Sequence, residues 1–170
     1  MINTNRNIKF FLYKFTPVIL LFTSILNEID FNNSEFKYFS FNFVYILIFY
    51  YSLKRAGGIG YVFIFIAGLF NDVVNGFPMG ISSLCYLLLC TAAVYLRNIT
   101  LRPNKIKDWI FFLFTILVLN FITFAYLFLF FNTEINYFEQ MINIFYTFLL
   151  YLVFSNLFEI YDNIILSKYN

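Results

Sequence analysis

Asp72 is the only carboxylate set deep inside an apolar stretch of this chain, and few polar side chains accompany it there: Asn71, Asn75, Ser82, Ser83 and, further on, Asn120. A lone acid in such surroundings has three chemical uses. It can accept hydrogen bonds from backbone N–H groups left free at a helix end. It can reach a partner protein together with Asn75. It can hold a ligand or an ion. The same neighbourhood contains every glycine of the chain, all six between Gly57 and Gly80, and Gly68, Asp72, Gly76 and Gly80 recur at every fourth residue. Positions four apart stack on one face of a helix. The segment therefore reads as a bare backbone stripe carrying one acid.

Much chemistry is ruled out by what is absent. The sequence has no histidine, which removes Ser-His-Asp and Cys-His triads, imidazole metal sites and histidine proton shuttles. Paired carboxylates need two acids at one depth. Asp108, Glu159 and Asp162 stand at the far ends of other apolar runs, so Asp72 has no companion. Cys85 and Cys90 are five residues apart and thus turned away from each other on a helix, by about 100° per residue. They read as small apolar core residues. No glycine-rich phosphate loop is present, and a net charge of +2 does not suit nucleic-acid binding. The reading is of a chain that is not an enzyme and uses no cofactor or metal.

The elements that must position Asp72 are apolar helices. Of the 170 residues, 62% are hydrophobic and 12% charged, against about 25% charged in a soluble domain. A membrane-crossing helix needs about 20 apolar residues. Six runs qualify as expectations, 10–27, 37–53, 58–75, 79–96, 109–131 and 138–158, joined by short links. The fold class expected is all-α: one polytopic membrane domain over residues 1–170, a bundle of about six transmembrane helices. The first run lacks a small-residue cleavage site and reads as a retained signal anchor. In this arrangement Arg6, Lys9, Lys14, Lys54, Arg55, Arg97, Arg102, Lys105, Lys107 and Lys168 fall on one side, and of the eleven basic residues only Lys37 falls on the other. The positive-inside rule makes that side, and both termini, cytoplasmic.

Within the third run, Gly68 beside Ala67 suits close helix approach. Gly76 suits a left-handed helix end, and Pro78 is well placed near the first turn of the next helix. Free N–H groups are expected near Gly80, Ile81 and Ser82, within reach of Asp72.

The run Gly68-Leu-Phe-Asn-Asp72-Val-Val-Asn75-Gly76-Phe-Pro78-Met-Gly80, followed by an apolar fourth span from Ile81 to Leu96, resembles the signature of the MreD family of rod-shape-determining membrane proteins. Length, span number and the basic third linker agree with it. The specific match covers about residues 60–96. A proline that the family usually carries in its second span is replaced here by Ser40-Phe41-Asn42. The resemblance implies a non-enzymatic scaffold of the bacterial elongation machinery in the inner membrane. Its implied partners are an MreC-like single-span protein, MreB filaments, a RodA-like glycosyltransferase and a class B penicillin-binding transpeptidase of peptidoglycan synthesis. The linker Arg97–Lys107 reads as a topology determinant, or as a contact for anionic membrane lipid or a cytoplasmic partner. The competing reading is a substrate-binding membrane component of an energy-coupling-factor-like transporter, in which Asn71, Asp72 and Asn75 touch a small molecule.

Overall fold

The protein's structure, a computed structural model, describes residues 15–25, 41–55, 58–100, 104–131 and 137–167. Among these residues the fold is entirely helical: α1 (Phe15–Ile25), α2 (Phe43–Lys54), α3 (Tyr61–Asn75), α4 (Ile81–Ile99), α5 (Lys105–Phe131) and α6 (Tyr137–Ser167). Each of the six expected apolar runs overlaps one helix. Three of them, α4, α5 and α6, are long and apolar enough to cross a membrane, and they mark the chain as a membrane protein.

The other three helices are shorter, among the described residues, than the expected spans. α2 has 12 residues and α3 has 15, which at about 1.5 Å per residue falls short of a hydrocarbon core about 30 Å thick. α2 begins six residues later than the run at 37 because Asn42 stops it there. The Asn42 side chain accepts from the Tyr45 N–H at 3.1 Å, a side-chain cap on the first turn. The ends of the first run, 10–14 and 26–27, lie outside the described residues. α6 errs the other way, continuing to Ser167 past the expected end at 158.

α2 is the centre of the bundle. Val44 and every residue from Ile46 to Leu53 are buried, as a helix that is apolar all round must be. Phe49 lies 5.0 Å from Phe112 on α5 and 5.7 Å from Tyr151 on α6, ring centre to ring centre. α4 packs on α2, α3 and α5, and α6 lies along α2 and α5. The outer surface is apolar: Val62, Phe65, Phe70 and Val73 on α3 and Ile110, Phe114, Phe121 and Phe128 on α5 are all exposed. Large apolar side chains over whole outer faces suit contact with lipid.

Long-range contacts set which helix ends lie together. Thr16 of α1 is 3.2 Å from the Tyr161 hydroxyl of α6. Arg97 of α4 donates to the Ser52 and Arg55 carbonyls at the end of α2. Lys105, at the start of α5, pairs with Glu159 of α6. One end of the bundle thus gathers the start of α1 and α5 and the end of α2, α4 and α6. The α3–α4 turn is at the other.

Phe49→Ala is expected to destabilise the protein by about 3–5 kcal/mol, because it empties the centre of the ring cluster. Phe121→Ala, on the outer face, is expected to change stability by about 0.5 kcal/mol or less. Denaturation midpoints in one detergent check this, and equal losses would contradict the central placing of α2.

Candidate functional site

The glycine-aspartate segment folds as a tight hairpin of α3 and α4. Its first requirement is close approach. A methyl group built on Gly68 would fall onto the backbone Cα and N of Ser83 and within 2.7 Å of its Oγ. Ala67, alongside, is fully buried. The Ser83 hydroxyl donates to the Phe65 carbonyl at 3.0 Å, one turn before Gly68. Absence of a side chain at 68 lets α4 lie directly against α3, where dispersion and short polar contacts hold helices together.

The second requirement is a turn. Gly76 closes α3 with φ at 65° and Gly80 opens α4 with φ at 104°. Both values are left-handed, where a Cβ is penalised. The N–H groups of Gly76 and Phe77 return to the Asp72 carbonyl, the latter at 2.9 Å. Pro78 sits in the turn, two residues before the Gly80 N-cap and so near the first turn of α4. Its carbonyl faces the Ile81 N–H at 3.5 Å. The fourfold spacing therefore does not run along one helix: Gly68 and Asp72 lie on α3, Gly76 ends it and Gly80 begins α4.

The third requirement follows from the second. A glycine at the N-cap of α4 has no side chain with which to cap the free amides behind it. Asp72 supplies the missing cap from the other helix. One carboxylate oxygen accepts from the Gly80 N–H at 2.7 Å and the other from the Ser82 N–H at 3.0 Å. Asp72 is completely buried, and its carboxyl group stands at the positive pole of the α4 dipole. Of the three uses open to this acid, the structure realises the first, with Gly80 and Ser82 as donors and Ile81 turned to Pro78.

The flanking polar residues join the same hairpin. Asn71, 8% exposed, donates through Nδ2 to the Ser82 hydroxyl at 2.9 Å. Asn75 donates to the Asn71 carbonyl at 3.1 Å and is exposed. Asn120, on α5, donates to the Ile116 carbonyl of its own helix and stands apart from this group. Cys85 and Cys90 are buried free thiols; Cys90 Sγ accepts from the Ser52 hydroxyl at 3.2 Å, and Cys85 Sγ is 3.3 Å from the Thr123 hydroxyl. Among the described residues, no group of three or more cysteine, aspartate or glutamate side chains is placed to hold a metal ion.

Sequence reasoning missed a second polar group, at the opposite end of the bundle. Lys54 and Asp108 are 4.0 Å apart, Arg55 binds Asp162, and Lys105 binds Glu159 at 2.6 Å. The available signal was the coincidence of acids and bases at helix ends expected on one membrane side. A cavity of about 10 Å³ lined by Tyr50, Lys54, Lys105, Asp108, Tyr151, Ser155 and Glu159 lies among them, room for about one water.

No protein-family model matches the chain, and comparison with curated proteins and with solved structures returns no match.

Gly68→Ala is expected to push α4 off α3 and lower thermal stability in detergent by about 1–3 kcal/mol. Ser83→Gly is not expected to restore it, since the obstruction is backbone. Rescue by Ser83→Gly, or no loss at all, would contradict the close approach. Asp72→Ala is expected to cost about 1–3 kcal/mol or more through two buried amides left without an acceptor, read from the same melts.

Proposed function

We propose that this chain is a non-enzymatic scaffold of the bacterial elongation machinery, an MreD-like protein of the inner membrane with six membrane-inserted helices and both termini in the cytoplasm. It would hold an MreC-like single-span protein and help position MreB filaments, a RodA-like glycosyltransferase and a class B transpeptidase. The observation that carries this reading is where the motif residues spend their bonds. Gly68, Asp72, Gly76 and Gly80 are all consumed in shaping and capping one helical hairpin. A rigid hairpin whose polar groups, the buried Asn71 Oδ1 excepted, are bonded within it suits a surface that other helices pack against. A transporter's binding site needs polar groups converging on a cavity, whereas Asp72 and the Asn71 amide nitrogen are directed to α4. The cytoplasmic assignment draws on the basic residues: Lys54, Arg55, Arg97 and Lys105 share one end of the bundle.

The test is a mild-detergent pull-down of the tagged chain from native membranes, read by mass spectrometry. Recovery of a coiled-coil single-span protein with a glycosyltransferase or transpeptidase of wall synthesis is expected. Recovery of an ATPase with a coupling membrane subunit would overturn the reading in favour of transport. Asp72→Asn is expected to reduce partner recovery and round the cells while leaving membrane insertion unchanged. Normal shape with full recovery would show that the charge at 72 is dispensable.

A further inference from the structure

The scaffold reading uses the Arg55 end only for its basic residues and leaves the pairing of charges there unused, yet that pairing is closed. Three helices meet there and one ion pair joins each two of them: Lys54–Asp108 for α2 and α5, Arg55–Asp162 for α2 and α6, Lys105–Glu159 for α5 and α6. Their exposure differs. The Arg55 and Asp162 side chains are 15% and 13% exposed, those of Lys105 and Glu159 56% and 40%. Arg55 is itself fixed. Its carbonyl accepts from Arg97 of α4 at 3.0 Å, and its guanidinium lies 4.9 Å from the centre of the Tyr51 ring. Glu159 and Asp162 are three residues apart and so share a face of α6.

α6 needs such a fixture. It has 31 residues and lies along a helix of 12. Much of the seam between them is ring on ring: Phe154 against Phe43, and Phe158 against Tyr50 and Tyr51. Apolar rings stack in many registers, and lipid supplies no hydrophobic drive towards one of them. A partly buried ion pair does select one, because losing either partner leaves a charge with little water around it.

We infer that Arg55–Asp162 is a latch that docks the C-terminal half of α6 on α2, with Lys105–Glu159 as its exposed second catch. Breaking the partly buried pair releases this arm while the α3–α4 hairpin stays closed. The latch is a property of the pairing and not of either residue alone, so exchanging the two charges preserves it.

The experiment is maleimide labelling of the full chain in lipid nanodiscs, resolved by residue with mass spectrometry. Ser155→Cys places the probe on the released segment, beside the small cavity at the ion pairs. The native Cys85 and Cys90, buried on α4, report opening of the whole bundle. Asp162→Arg is expected to speed labelling at 155 at least about tenfold with Cys85 and Cys90 still protected. Arg55→Asp combined with Asp162→Arg is expected to return labelling to within about twofold of the parent. Unchanged labelling in Asp162→Arg, simultaneous labelling of Cys85 and Cys90, or a double exchange as fast as the single change would each overturn the latch. Should Asp162→Arg fail to accumulate, the near-isosteric Asp162→Asn gives the same readout: faster labelling at 155 supports the latch and parental labelling overturns it.

Discussion

One buried carboxylate sets the geometry of the most tightly joined part of this protein. Asp72 spans two helices, closing α3 and capping α4, with both of its oxygens bonded to backbone amides. The need for it begins at Gly80. The left-handed φ there disfavours the serine or threonine that would normally cap a helix from its own N-cap. A helix that starts without a cap inside an apolar bundle strands N–H groups, and each costs as much as a lost hydrogen bond. Placing the cap one turn before the end of the preceding helix solves this and ties the two together. Gly68, four residues earlier, lets them touch along their length. A carboxylate here is costly only if it stays unpaired.

The remaining helices build outward from α4. It bears on α2, which is enclosed so fully that its short length is no defect. A helix of 12 residues surrounded by protein has no lipid to match. α5 and α6 close the other side, joined to α2 by aromatic rings in the middle and by ion pairs at one end. The two polar sites thus have different logic. Around Asp72 a charge is neutralised by local backbone; at Arg55 charges from distant parts of the chain neutralise one another.

That difference explains how much could be read from the sequence. The six helices were legible as apolar runs, and Asp72 was legible because its donors follow within ten residues and the break at Pro78 and Gly80 announces free amides. The start of α2 was missed because Asn42 lies inside an apolar run and its capping role depends on the backbone turning there. The end of α6 was missed because Glu159 and Asp162 look like the edge of a span. They continue the helix because Lys105 and Arg55 neutralise them, and pairs more than fifty residues apart in sequence leave no local pattern. The fourfold spacing was real as sequence and misleading as geometry, since the chain reverses between Gly76 and Gly80.

The most direct measurement on the central claim is amide hydrogen exchange of the native protein in nanodiscs, resolved at Gly80 and Ser82. Both amides precede the regular hydrogen bonds of α4, so without Asp72 they would exchange like those of any exposed turn. The account predicts protection at Gly80 and Ser82 comparable to the interior of α4, lost in Asp72→Ala while the interior stays protected. Fast exchange at both amides in the native protein would contradict it, and Asp72 would then be free for the partner or the ligand that its sequence context also allowed.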